Sequence, residues 1–463
     1  MTPDRRGPAV IPPYIRWLYA NQALNMVFGS LTFASSILVM YLADLNLDKA
    51  RIGFLLSLFP FCGLVSPLIS HGVARMGVKR VFIVFFGVRP VFIFLLVAAP
   101  WALAHWGVPV MFAGVAVMLL LFGACRAIGE TAYYPWNHEI VPESLRGRVS
   151  GIAQWAAYLC AVVAMWVAGL VLKSGEGCWR YQWLIGAGCL VGFLGNLAML
   201  PVPGGRPVLS TSQGSHFKNL VAVFRDRQFR RFMLGVSCFI MMFASFPFLA
   251  LFARERLMIP ADRVVLFDAM AMVGVLVSCM YWGWATDRYG GKPVTIVAMS
   301  VIGILPCLWW MLKPGGAGAF RIGLLLAFVS GVMNSAQTIG SFRWFFNTII
   351  PAESRTPYLS IWYAWVGLIG GMAPLLAGHI LNIAAPARWR LGGHVIDTYP
   401  ILFAGSMVMM VAGVLVMRGV PERQQCRTRD YLRAILFDDI PYFFGRALGL
   451  VFPSDRGDVK KDL

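Results

Sequence analysis

Twelve stretches of this chain stay apolar for about twenty residues each, the length an α-helix needs to cross a bilayer. Spans are expected near residues 15–42, 52–72, 80–104, 108–136, 148–172, 181–200, 230–253, 264–285, 293–312, 320–348, 357–382 and 399–417. The fold class that follows is an all-α polytopic membrane protein of about twelve transmembrane helices. Composition agrees: 59% of residues are hydrophobic, only 13% are charged, and the mean hydropathy is +0.69. Soluble domains run at about 45–50% apolar and about 25% charged.

The chain also repeats. Ile140-Val-Pro142-Glu-Ser-Leu-Arg146 returns as Ile349-Ile-Pro351-Ala-Glu-Ser-Arg355. Ala74-Arg75-Met-Gly77-Val-Lys79-Arg80, after the second span, is answered by Thr286-Asp287-Arg288-Tyr-Gly290-Gly-Lys292 after the eighth. The chain therefore reads as two pseudo-symmetric six-helix halves. The expected organisation is a leader at 1–13, a first bundle at 14–200, a linker at 201–229, a second bundle at 230–418 and a basic tail at 419–463. In the linker, Phe217, Leu220, Val221 and Phe224 recur at helical spacing beside Lys218, Arg225 and Arg227, the pattern of a helix lying on a membrane surface. Tyr431, Leu432, Ile435 and Leu436 give the tail a similar stripe.

The formal charge of +19 lies between the spans, where it meets lipid headgroups and sets orientation, so no nucleic-acid partner is expected. With the N-terminus inside, inner segments hold 26 Lys and Arg and outer segments 11. Both termini are thus expected in the cytoplasm and the chain in the cytoplasmic membrane. The leader lacks a short apolar core with a cleavage site and reads as uncleaved. Seven of the nine cysteines lie in apolar runs; they suggest neither a disulfide framework nor a metal site, and no cofactor is expected.

Gly283-Trp-Ala-Thr-Asp287-Arg288-Tyr-Gly290-Gly-Lys292 resembles the signature inner loop of the major facilitator superfamily. Arg75, Gly77, Lys79 and Arg80 form a degenerate first copy, with Ala74 in place of the acid and Ser70 in place of the first Gly. Pro142…Arg146-Gly147 resembles the loop after that family's fourth span. The resemblance covers about residues 14–418. It implies a monomeric secondary transporter, a cavity lined by the first, fourth, seventh and tenth spans, and gating by these loops. Gating candidates are Arg75, Gly77, Arg146, Gly283, Asp287, Arg288, Gly290, Lys292 and Arg355. The fifth span lacks the proline of drug–proton antiporters. Gly367-Leu-Ile-Gly370-Gly371-Met-Ala-Pro374 lies in the eleventh span instead, where it permits close packing and a kink.

Ionisable groups inside a span cost about 2.5–3.5 kcal/mol each on insertion scales, so they face a partner or a cavity. Arg126 and Glu130 lie at i, i+4 in the fourth span: a self-neutralising pair, a site where Arg126 meets an anionic solute and Glu130 exchanges a proton, or both. Tyr133, Tyr134 and Asn137 follow on that side. Asn334, Gln337, Thr338 and Ser341 stripe the tenth span, with Asn21, Gln22 and Asn25 in the first; these bond between helices or line water. The substrate-binding candidates are Asn21, Asn25, Arg126, Glu130, Tyr134, Asn334, Gln337 and Ser341. Proton-coupling candidates are Glu130 and Asp268, although Asp268 sits near its span's outer end and a solvated position is the simpler reading. Arg89 and Arg343 lack an obvious local partner. His138 and Glu139 sit at the inner mouth, where bonds to loop residues are expected.

These features point to a transporter, without an ATP-binding loop, that moves a small polar or anionic solute, sugar-like or an organic acid, with protons. Alternatives are a lipid or lysolipid transporter or flippase, suggested by Phe239-Ile-Met-Met-Phe243, and a non-transporting membrane enzyme or sensor built on His138-Glu139.

Overall fold

The computed structural model describes residues 12–65, 69, 72–73, 75–142, 145–207, 223–315, 317–351, 355–383, 389–391, 394–396 and 398–422. The linker stripe at 217–222 and the tail stripe at 431–436 lie outside these residues. Among the described residues the chain crosses its bundle twelve times. The first span is α1 (Ile15–Leu31) and α2 (Ser36–Asp44), and the second α3 (Lys49–Cys62) with one 3-10 turn, Gly63–Val65. α4 (Val78–Phe94) and α5 (Ala99–Ile140) hold the third and fourth spans. α5 contains the reversal between them: Gly107 has φ +76°, a left-handed conformation that glycine adopts at no steric cost. α6 (Arg146–Lys173) and α7 (Trp179–Leu197) complete the first half.

The second half starts with α8 (Arg227–Phe243) and α9 (Phe246–Glu255), which share the seventh span. α10 (Ala261–Tyr289), α11 (Gly291–Trp310), α12 (Ala317–Trp344), α13 (Arg355–Ile383) and α14 (Thr398–Arg418) follow. Between the last two, β1 (Trp389–Leu391) and β2 (His394–Ile396) pair antiparallel, Trp389 opposite Ile396. Nine described helical runs are long and apolar enough to cross a membrane. One of them, Val78–Ile140, is the hairpin of the third and fourth spans. α3 ends at Cys62, just after Pro60, which cannot donate a backbone hydrogen bond, and a 3-10 turn follows; part of the expected 52–72 span beyond Val65 lies outside the described residues.

Helix neighbours repeat from half to half. In the first half, the first span packs on the fifth and sixth, the second on the fourth, and the third on the fourth and sixth. In the second half, the seventh packs on the eleventh and twelfth, the eighth on the tenth, and the ninth on the tenth and twelfth. The most extensive contacts between the halves are span 2 with span 11 and span 5 with span 8. Glycine makes the first of these a backbone-to-backbone contact. A Cβ on Gly53 would stand 2.4 Å from the Pro374 carbonyl oxygen, and one on Gly378 would stand 2.4 Å from that of Lys49. Small residues replace the hydrophobic effect as the cause of association where lipid is the solvent. The outer surface fits that solvent: Trp166, Leu190 and Leu415 are among the exposed side chains.

The repeat also explains a one-residue shift. Trp136 and Trp344 stand 208 positions apart, Pro142 and Pro351 209. Between Trp344 and Pro351 the chain makes a π-helical turn, Phe345–Ile349, which inserts one residue into an otherwise equivalent helix end.

Candidate functional site

Odd and even spans run in opposite directions, so the chain has a linker face, carrying residues 201–207 and 223–227, and a distal face. Between the halves lies a cavity of about 660 Å³, within the 300–1,000 Å³ typical of small-molecule sites. It forms where both halves break the same element. The first span is interrupted between Leu31 and Ser36, the seventh between Phe243 and Phe246. Corresponding breaks in two repeated halves mark solute sites in transporters, because irregular backbone at membrane depth persists only in protein or at a cavity. Ser35 and Ser36 from one break and Phe243 and Phe246 from the other line the cavity.

At the first break the Ser35 hydroxyl accepts from the Ile37 N–H at 3.2 Å and caps α2. Asp268 of span 8 reaches the same helix end from the other half. Its Oδ2 accepts from the Ser36 N–H at 2.9 Å and from the Ser36 hydroxyl at 2.6 Å. A helix N-terminus leaves its first N–H groups without partners in the helix, and this carboxylate supplies one of them with an acceptor. Asp268 is therefore no solvated surface carboxylate, the simpler reading of its sequence position: it lines the cavity and ties the halves together.

Arg126 and Glu130 form the expected pair, with Nε 2.7 Å from Oε1. Both stand in mid-span, yet their side chains are 37% and 41% exposed, so the pair opens on a space between helices. The Arg126 guanidinium lies 5.4 Å from the centre of the Phe33 ring, a wall of the cavity. One turn on, Tyr134 meets Tyr363 of span 11 across the halves, with ring centres 6.0 Å apart. Their hydroxyls also hydrogen-bond. Asn334, Gln337 and Thr338 line the cavity from span 10. Ser341, one turn nearer the linker face, accepts from the Gln337 amide at 3.5 Å and donates to the Thr338 carbonyl at 3.3 Å.

The first-span amides do something else. Asn21 is buried and donates to the Gly195 carbonyl at 2.7 Å, joining spans 1 and 6. Asn25 donates to the Asn21 carbonyl and accepts from Arg89. Arg89 thus has a partner that its sequence neighbourhood did not reveal. It is 4% exposed, with its guanidinium 3.7 Å from the Phe86 ring centre and 5.1 Å from that of Phe28. Gln22 donates to the Tyr133 hydroxyl at 2.7 Å.

At the distal face the halves are bridged by charge. Arg254 pairs with Asp44 at 2.9 Å and Lys49 with Glu255 at 2.7 Å. The Tyr399 hydroxyl donates to Glu255 at 2.8 Å and its ring faces the Lys49 ammonium at 4.4 Å.

At the linker face each half builds the same clamp. Gly77 (φ +88°) and Gly290 (φ +91°) start spans 3 and 9. Lys79 donates to the Leu200 and Val202 carbonyls at 2.9 and 2.6 Å, Lys292 to those of Arg418 and Val420 at 2.9 and 2.7 Å. The indole N–H of Trp136 donates to the Pro203 carbonyl, and that of Trp344 to the Pro421 carbonyl. Glu139 accepts from the Gly205 N–H at 2.9 Å, and Arg146 donates to the Val141 and His138 carbonyls. These are the loop bonds expected of that mouth. Arg343, a second cation without an evident partner in sequence, pairs with Asp287. Arg288 packs on Trp284 and Tyr289, and Arg75 is exposed. A Cβ on Gly283 would meet no atom within 4 Å, so packing does not require that glycine. The Arg355 side chain lies outside the described residues.

Residues 20–260, more than half of the 463, match the Major Facilitator Superfamily. The chain belongs to the major facilitator superfamily. Among curated proteins none matches it by sequence. Among solved structures it is similar to a mutant form of the nucleoside transporter NupG, with TM-score 0.69 and 14% identity over 87% of this chain and 99% of that one. It is also similar to a D-xylose-proton symporter (0.63; 16% identity; 89% and 99% covered) and to the xylose transporter XylE from E. coli in a partially occluded inward open conformation (0.61; 16%; 90% and 100%). These likenesses confirm the superfamily fold, and the chain is a multi-pass membrane protein. Sequence reasoning missed Ser36 and Tyr158, which line the chamber, and Tyr363, which meets Tyr134 across the halves. None of the three belongs to the charged pair of span 4 or to the polar sets of spans 1 and 10 that the sequence singles out.

Proposed function

We propose that this superfamily member is a secondary transporter carrying a small polar or anionic solute across the cytoplasmic membrane, by alternating access and with protons. The observation that carries this reading is the Arg126–Glu130 pair, opening between helices beside a cavity framed by broken spans 1 and 7. A salt bridge of this kind has two uses. It neutralises both charges while the chamber is empty, and it offers a fork of guanidinium donors to a carboxylate or phosphate once Glu130 takes a proton. Proton and anion then enter together. The amide and hydroxyl stripe of span 10 receives the rest of the solute. Sugar and nucleoside transport by proteins of similar fold supports this solute class.

The distal ion pairs hold one gate shut while the chamber faces the linker side. We read that side as cytoplasmic from the distribution of Lys and Arg, 26 against 11, which places both termini inside. Asp287–Arg343 and the Lys79 and Lys292 clamps order the ends of spans 6, 10 and 12, about which the halves rock as single chains acting as monomers. Asp268, shared by both halves, is the second proton-exchanging carboxylate.

The test is uptake into proteoliposomes of radiolabelled sugars, organic acids and lysolipids, with and without a pH gradient. Accumulation of a sugar or organic acid driven by the gradient, lost in Glu130→Gln with exchange retained, is the expected result. Uphill uptake persisting in that variant would remove the coupling role. The aromatic wall of span 7, Phe239, Phe243 and Phe246, favours a second reading as a lysolipid transporter; uptake of lysolipid alone would select it.

A further inference from the structure

The cavity holds a second carboxylate, to which the anion reading gives a proton but no part of the solute. Asp268 lines it, and both hydrogen bonds from Ser36 fall on Oδ2. Among the described residues no lysine or arginine pairs with this carboxylate. The walls around it are aromatic: Phe33 and Phe59 from the first half, Phe243, Phe246, Phe267 and Trp309 from the second. A carboxylate among ring faces attracts an ammonium group twice, through the formal charge and through the negative faces of the rings. The same surroundings disfavour an anion and give a neutral alcohol only one of the two.

We propose that Asp268 is a subsite for a protonated organic amine whose apolar substituents lie against these rings. The inference rests on the chamber being a solute site, and it refines the solute to a zwitterion. The anionic end meets Arg126 and the ammonium end meets Asp268, with Phe33 touching both regions. Ser36 holds Oδ2 fixed and leaves Oδ1 to receive the N–H donors.

The experiment measures ligand binding to the purified full chain in nanodiscs, by titration calorimetry. The probes share a phenyl ring: phenethylamine, benzyltrimethylammonium, phenethyl alcohol and 3-phenylpropionate. Phenethylamine is expected to bind at least tenfold more tightly than phenethyl alcohol, with benzyltrimethylammonium also bound. Asp268→Asn keeps an acceptor for Ser36 but removes the charge, and should erase that preference while 3-phenylpropionate binding stays within twofold. Asp268→Glu keeps the charge and should retain the preference, which separates loss of charge from loss of fold. Equal binding of amine and alcohol to the wild type, or an undiminished preference in Asp268→Asn, overturns the proposal. Amine binding by a protein that takes up no solute into proteoliposomes would uphold the subsite and sink the transporter reading. Uptake with no amine preference would do the reverse.

Discussion

Compared residue by residue, the two halves agree at the linker face and part company in mid-membrane. Lys79, Trp136 and Pro203 in one half match Lys292, Trp344 and Pro421 in the other, partner for partner. Two turns deeper the match fails. Counting back from the paired tryptophans, Arg126 and Glu130 correspond to Asn334 and Thr338. The neighbours of those tryptophans differ too: Arg343, paired with Asp287, answers Pro135. The clamp satisfies carbonyls that a helix end leaves unbonded, a need both halves share. For the asymmetric solute proposed above, a charged pair on one wall and neutral amides on the other serve better than two copies of either.

The largest effect should come from erasing this difference. Replacing Arg126 with Asn and Glu130 with Thr makes the fourth span match the tenth. Charge-assisted hydrogen bonds contribute about 1.5–3 kcal/mol, so solute affinity should fall roughly 100-fold while the protein still folds. Uptake at wild-type rates would show that the asymmetry is not the site.

Next in size is the seam between the halves. Gly53→Leu puts atoms where the Pro374 carbonyl already sits, and overpacking of this kind costs about 1–3 kcal/mol. Gly283→Ala, at a position with open space, should leave thermal unfolding in detergent unchanged. Equal losses would mean that backbone contact at Gly53 is not what joins spans 2 and 11.

The clamps sharpen the comparison. Lys79→Ala and Lys292→Ala each remove two bonds from an ammonium to carbonyls and should lower stability by similar amounts, about 1–3 kcal/mol. A loss in only one half would break the equivalence.

Smallest is Asp287→Asn. Its side chain is 66% exposed, so the pair with Arg343 contributes at most about 1 kcal/mol to stability. The expected readout is conformational: cysteines placed at the two mouths should change in accessibility, as they should in Arg146→Ala. Unchanged labelling in Asp287→Asn would demote the latch to a surface contact.

Much of the fold was written in the order of apolar runs, since a bilayer accepts so few structures. The Arg126–Glu130 pair was legible for a local reason, the i, i+4 spacing. Arg89 and Asp268 were not legible, because their partners Asn25 and Ser36 stand 64 and 232 positions away. Asn21 and Asn334 look alike on paper, each an amide on an oily helix, yet one bonds to span 6 and the other lines the cavity.

Periodicity, charge placement and repetition thus determined by themselves that the chain spans a membrane in two related halves, because the first two are properties of residues near one another along the chain and the third is read by laying one stretch of sequence over another. Which polar groups meet across the seam, where spans 1 and 7 break to make room, and that Asp268 caps a helix of the opposite half were decided by tertiary packing. Those contacts join residues with no relation in sequence, and only the closing of one bundle upon the other brings them within hydrogen-bond reach.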